Sequence, residues 1–282
     1  MKRLLDTGAA ALSLAKPFIA SSYRSRRQGD LFADLRAYCI FVGYPRSGHS
    51  LTGSLLDAHP HICFAHELDA LKFVHARFSE NQIYDLLLAR AREFTEQGRK
   101  WNGYSYYVPG QWQGKFTTLH VIGDKKGGGS AQRLRANPEL LDRLRRTIKL
   151  PLRFVHIIRN PYDNISTISL NQQQHKLNLR ESVDFHFALC DTIMHLKSRL
   201  AGGELFEIKH EEFVCAPREH LARLCNFLGE DAPDDYLQAC AGIVFDSPRK
   251  TRHAAAWTPD LIREVAARMT RYTHLAGYAY DE

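Results

Sequence analysis

Apolar residues follow two rhythms along this chain. Short unbroken runs, Tyr38-Cys39-Ile40-Phe41-Val42 and Leu152-Arg153-Phe154-Val155-His156-Ile157-Ile158, read as strands buried on both faces. Strand character returns over 118–122 and 205–208. Between these runs the spacing changes to that of a helix: Ile83, Leu86, Leu87, Leu88, Ala91 and Phe94 predict one over 80–96. Further helices are predicted over 137–148, 181–200, 217–228 and 259–273. Strands alternating with helices imply an α/β fold with a parallel, doubly wound sheet. A chain of 282 residues suits one such domain. Residues 1–37 read as a basic, partly helical extension, leaving 38–282 as the domain.

The first strand runs into Gly43-Tyr44-Pro45-Arg46-Ser47-Gly48-His49-Ser50-Leu51-Thr52-Gly53, and a helix follows at 54–58. A strand, a glycine-bearing turn and a helix start aim several backbone N–H groups at one point, which is a phosphate-binding geometry. The spacing from Gly43 to Gly48 and Ser50 is that of a P-loop, but His49 stands where the lysine belongs, and Arg46 lies inside the loop. The second long strand ends at Arg159, where Asn160 as N-cap and Pro161 as first residue start another helix. Arg159 therefore lies at a strand's carboxyl end, where open α/β sheets bind ligands. Thr167 follows eight residues later, about two helical turns on, with Ser166 beside it. An arginine and a hydroxyl so placed suit a second phosphate.

With these segments in hand, the chain resembles the PAPS-dependent sulfotransferases, whose fold is similar to that of nucleotide kinases. Pro45-Arg46-Ser47-Gly48 resembles the family's 5′-phosphosulfate loop, and Arg159 to Thr167 its 3′-phosphate element. Gly123-Asp124-Lys125 between them, the stretch from Glu207 to Val214 with Phe227-Leu228-Gly229, and Trp257-Thr258-Pro259 are similar to further family segments in the same order. Leu55-Leu56-Asp57-Ala58-His59-Pro60 is nearest to the tyrosylprotein-sulfotransferase branch and its bacterial relatives. The chain departs from the family pattern at His49-Ser50, at Lys126-Gly127 and at Lys209-His210.

The resemblance implies PAPS as co-substrate, PAP as product, and no metal. It implies that the N–H groups of Ser47, Gly48, His49, Ser50 and Leu51 hold the 5′-phosphate, with Arg46 and Lys125 (or Lys126) neutralising the leaving oxygen. Arg159 and Thr167, with Ser166, would read the 3′-phosphate, joined by Arg249 or Arg252 from a basic C-terminal loop. Glu67, seven residues after Pro60, is the expected general base, and His66 is the alternative. The acceptor is a hydroxyl or amine of a glycan, peptide, lipid or small metabolite. An aromatic, glycine-rich loop over 98–117 is the candidate acceptor segment, or else a loop held to the core by its aromatics. Gly127-Gly128-Gly129 reads as a flexible joint.

Charge agrees with an anionic ligand: Lys and Arg exceed Asp and Glu by seven. Nucleic acid would satisfy the same charge, but no DNA- or RNA-binding motif is present. Two other functions stay open at this level. One is a divergent P-loop kinase or NTPase, with Val121-Ile122-Gly123-Asp124 as a Walker B strand. The other is a non-catalytic nucleotide-binding relative. Six scattered cysteines without a CxxC pair fit reduced, buried thiols. The apolar stretch near the N-terminus is broken by Asp6, Gly8, Lys16 and Pro17, too often to span a bilayer. A cytoplasmic location is expected, with membrane contact only through residues 1–27. Asn164-Ile165-Ser166 is a formal glycosylation sequon, read as accidental.

Overall fold

The computed structural model describes residues 2–27, 29–171 and 176–281. Among the described residues seven strands are formed: β1 (Ala37–Gly43), β2 (Ile62–Ala65), β3 (Lys100–Trp101), β4 (Tyr104–Ser105), β5 (Val121–Asp124), β6 (Leu152–Ile158) and β7 (Leu205–Lys209). Five of them build one parallel sheet in the order β2-β5-β1-β6-β7. β1 is central and buried along its whole length, as its unbroken apolar sequence demands.

Alternation along β1 assigns its side chains to two cores. Tyr38, Ile40 and Val42 face one core with Ile83 and Leu87 of the helix Glu80–Glu96, and with Val183 and Phe187 of the helix Leu179–Lys197. Cys39 and Phe41 face the other with Leu51 and Leu55 of the helix His49–Leu56, and with Leu221 and Leu224 of the helix Pro217–Leu228. Helices cover both faces, so the doubly wound expectation holds. β1 leaves toward β2 on one side and β6 toward β7 on the other. Their connections part, opening a crevice at the carboxyl ends of β1 and β6.

The N-terminal residues form a helix, Lys2–Ser25, that contains Pro17. Its C-terminal half docks on the Glu80–Glu96 helix. Arg24 pairs with Asp85 at 2.7 Å, Gln82 Nε2 donates to Ser22 Oγ at 2.8 Å, and Phe18 meets Phe78 edge-on. The extension is thus attached to the domain, though Ile19 and Tyr23 on its outer side stay exposed. Among the described residues no helix is long and apolar enough to cross a membrane. All six cysteines are free thiols, and five are buried.

Two local expectations are corrected. Gly127-Gly128-Gly129 is not a joint but the first turn of the helix Gly127–Ala136. The glycines serve close packing: a Cβ on Gly127 would lie 2.3 Å from His49, and one on Gly128 2.7 Å from Pro45. The aromatic loop contains the antiparallel hairpin β3-β4, turned at Asn102-Gly103, both with positive φ. Asn-Gly is the favoured dipeptide of such two-residue turns.

Candidate active site

The loop after β1 is shaped by left-handed backbone at Arg46 (φ 69°) and Gly48 (φ 99°). Gly48 is required here, because a Cβ would lie 2.5 Å from His210 Nδ1. Asn164, from the helix Pro161–Leu170, holds the loop from below. Its Nδ2 donates to Pro45 O at 2.7 Å and to Ser47 Oγ at 3.0 Å. Ser47 and Asn164 are fully buried, so the sequon is closed to modification in the folded chain.

His49 opens the helix but does not replace a P-loop lysine. It is buried between the loop and the Gly127–Ala136 helix, and burial, aided by the nearby Lys125 charge, pushes its imidazole down to about 3. The missing cation comes from the neighbouring strand instead. Lys125 follows β5, and its stem crosses Gly53, where a Cβ would lie 2.5 Å from Lys125 Cγ. Its Nζ reaches Ser50 Oγ at 2.8 Å and Glu67 Oε1 at 2.7 Å. Lys126 Nζ meets the other Glu67 oxygen at 2.5 Å. Glu67 is thereby clamped between two ammonium groups. Burial alone would raise its carboxyl, but the two lysines outweigh it and hold Glu67 down at about 2.

Glu67 has left-handed backbone (φ 62°), and its loop is fixed by Asp124, which accepts from Leu68 N and Ala70 N. His66, the alternative base, turns away from the cleft. Its ring stacks on Phe94 at 3.8 Å and meets Trp101 edge-on, with Nε2 3.4 Å from Lys125 Nζ. Burial and the lysine charge keep it neutral, pushed down to about 2.

Arg159 lies at the end of β6 and is buried. It donates to Arg46 O and Arg249 O, each at 2.9 Å, with Thr167 Oγ1 at 3.4 Å and Thr251 Oγ1 at 3.5 Å. No carboxylate pairs with it among the described residues. Arg252 differs entirely: it is buried against Asp163 at 2.7 Å and donates to Ala279 O and Tyr280 O, away from the cleft. Of the two basic candidates in the C-terminal loop, only Arg249 borders the cleft. Ser166 also stays outside, fully buried and accepting from Trp257 Nε1.

A cleft of about 790 Å³ opens beside these groups, lined by Lys126 while Lys125 is buried behind it. Arg46, Gly48, His49, Ser50, Leu51 and Glu67 line one part; Arg159, Thr167, Arg249 and Thr251 line another. The β3-β4 hairpin forms a wall through Trp101, Asn102, Tyr104 and Tyr106. With its amide oriented to satisfy both donors, Asn102 accepts from Arg46 Nη1 at 2.8 Å and Trp101 Nε1 at 3.0 Å. Arg249 reaches across to Tyr104 OH at 2.5 Å. This loop is anchored mainly by polar groups. Buried Arg99 pairs with Asp57, which also accepts from Gly114 N, and Gln113 bridges Ser54 O and Tyr106 O. Asn164, which holds the loop, and His210 and Thr251, which line the cleft, were not picked out as candidates from the sequence. His210 carried a signal, as part of the departure from the family pattern at Lys209-His210, and Asn164 another, as a polar residue in the strand-end helix.

Three solved structures share the fold at low sequence identity. The sulfotransferase domain from the curacin biosynthetic pathway gives a TM-score of 0.55 at 14% identity, covering 85% of this chain and 98% of its own. The sulfotransferase domain from the Synechococcus PCC 7002 olefin synthase gives 0.52 at 13%, covering 84% and 94%. A sulfotransferase from Alicyclobacillus acidocaldarius gives 0.50 at 17%, covering 85% and 94%. A search of curated proteins finds no matching sequence. The profile of the sulfotransferase family matches residues 39–234, well over half of the length, and the chain belongs to that family.

Proposed function

We propose that the protein transfers a sulfuryl group from PAPS to a hydroxyl or amine of an acceptor bound against the β3-β4 hairpin. The observation that carries this reading is the meeting of Lys125, Lys126 and Glu67 at the mouth of the phosphate loop. Sulfuryl transfer needs an in-line approach, cations at the departing phosphate and a base at the attacking atom. The N–H groups over 47–51 hold the 5′-phosphate at the start of the His49–Leu56 helix, with Ser50 adding its hydroxyl. Arg159 and Thr167 hold the 3′-phosphate, and Thr251 and Arg249 close that end. When the donor enters, its phosphosulfate competes with Glu67 for both lysines. The carboxylate is then released from the charges that keep its pKa low, and becomes a competent base. Glu67 takes the acceptor proton while the new S–O or S–N bond forms. The S–O bond to PAP breaks, leaving charge that Lys125, Lys126 and Arg46 neutralise.

The resemblance to the tyrosylprotein branch concerns the donor loop and Glu67 only, so it implies no protein acceptor. A kinase or NTPase reading is disfavoured by Asp124. Both its oxygens accept backbone N–H groups, and it is not free to hold Mg²⁺ as a Walker B aspartate does. The test pairs a thermal-shift comparison of PAP, ADP and Mg·ATP with a screen for ³⁵S transfer from labelled PAPS. Stabilisation by PAP and label transfer to an acceptor are expected. A response to Mg·ATP alone would overturn the proposal; PAP binding without transfer to any acceptor would leave a binding protein.

A further inference from the structure

Three side chains of metal-ligating types meet at the end of the sheet opposite the cleft. His61 immediately precedes β2, His120 immediately precedes β5, and Glu230 follows Gly229 at the end of the Pro217–Leu228 helix. One donor atom from each lies within 4.8 Å of the other two. We infer that His61, His120 and Glu230 form a structural site for a divalent metal ion of the zinc class.

The placement is rigid. His120 N and Val121 N both donate to His61 O, at 2.9 and 3.1 Å, which locks the two histidines side by side where β2 and β5 begin. Their rings stack at 4.6 Å, inclined by 17°. Glu230 is buried, its N–H donating to Cys225 O at 3.0 Å, and its Oε1 lies 2.9 Å from His120 Nδ1. His61 Nδ1 faces Thr118 O at 3.1 Å. A carbonyl can only accept, so Nδ1 carries the proton and Nε2 keeps its lone pair. A backbone carbonyl orienting the far nitrogen is the usual outer partner of a metal-bound histidine. His59 is adjacent but takes no part, since its ring accepts from His61 N and donates to Asp231 O.

Two imidazoles and one carboxylate are the donor set of zinc and its neighbours, not of Mg²⁺ or Ca²⁺, which prefer all-oxygen shells. Zinc bonds near 2.1 Å separate tetrahedral donors by about 3.4 Å. The three donor atoms lie within 4.8 Å of one another, and a metal ion would take the place of the proton that His120 Nδ1 shares with Glu230 Oε1 at 2.9 Å. His61 and His120 are only partly buried, so an ion can enter and water can complete its shell. The site has no part in sulfuryl transfer. All four residues of β5 separate His120 from Lys125, about 17 Å at the rise of a strand. The ion instead fastens the end of the Pro217–Leu228 helix to the β2-β5 edge.

The test uses the full chain, stripped with EDTA and kept under a phosphine reductant. It is titrated with Zn²⁺ against a chromogenic chelator, and separately with Co²⁺. One equivalent of Zn²⁺ bound at micromolar or tighter affinity is expected. His120→Ala and Glu230→Gln should each weaken it at least tenfold, and saturating Zn²⁺ should raise Tm by a few degrees. Far-ultraviolet circular dichroism shows whether each variant is folded. The Co²⁺ spectrum of the unaltered chain needs no variant. Visible d–d bands without a thiolate-to-cobalt band support nitrogen and oxygen ligation. No binding, a thiolate band, or equal affinity in folded variants would overturn the inference.

Discussion

The cleft has two halves that treat positive charge in opposite ways. Around Glu67, two lysines are answered by one carboxylate, at 2.7 and 2.5 Å. Around Arg159 the cation is met, among the described residues, by carbonyls and hydroxyls and no carboxylate, although burial makes its charge costly. A buried guanidinium without a carboxylate is an anion site in waiting. The nearby Arg252 makes the point by contrast: it has Asp163 as partner and lies outside the cleft. In the proposed function the Arg159 half binds the donor. The Glu67 half, in that same proposal, exchanges partners instead, its carboxylate acting as a base once the lysines find another anion.

The largest expected effect tests the exchange. Glu67→Gln should lower kcat by about 10² to 10⁴ while PAP binding is kept or tightens a few-fold, since the lysines lose a competitor. Calorimetry with PAP beside a ³⁵S assay checks this, and weaker PAP binding would break the contrast between the halves. Arg252→Met should act on stability alone. It leaves Asp163 buried without its partner, at about 3–5 kcal/mol, read by urea unfolding, with the PAP affinity of the folded protein unchanged. Arg159→Ala should cost about 1.5–3 kcal/mol in PAP affinity with a rise in donor KM, because hydrogen bonds to charged phosphate are lost. If kcat fell and KM stayed fixed, Arg159 would belong to the chemistry and not to binding.

The smallest effect near neutrality concerns pH. Burial pushes His49, His186, His210 and His274 down to about 3, against 6.5 for a free imidazole. As pH falls below about 6.5 the unfolded chain takes up protons at these positions and the folded chain does not, so stability declines from there toward pH 3. Tm measured from pH 8 to 5 should fall on the acid side. His210→Gln should flatten the slope, and an unchanged slope would mean that His210 is not held neutral.

Local chemistry made much of this legible in the sequence. The unbroken run of β1, the Asn160-Pro161 start of the helix after β6 and the glycine spacing of the loop each act within a few residues, so periodicity, capping and turn preference determine them. The helix over 80–96 was legible from its apolar spacing, and the structure adds the Ser79 capping box that starts it. Short β2 was not, because four apolar residues carry too little period to stand out. The Asn-Gly turn of β3-β4 was visible but overshadowed by the aromatics around it.

Sequence alone thus determined the fold class, the strand-loop-helix segment around Arg46 and Gly48, and the placement of Arg159 and Thr167 at a strand end and on the helix after it. Only the tertiary structure decided which groups share space. It turned His66 onto Phe94 and away from the cleft, gave Arg252 to Asp163 and left Arg249 at the rim, and brought Thr251 to Thr167 across 84 positions. It also set Glu230 against His120, 110 positions apart. The physical reason is the same throughout. Propensity and patterning act over a few residues, whereas a buried charge takes whichever partner the packing of distant segments brings within reach.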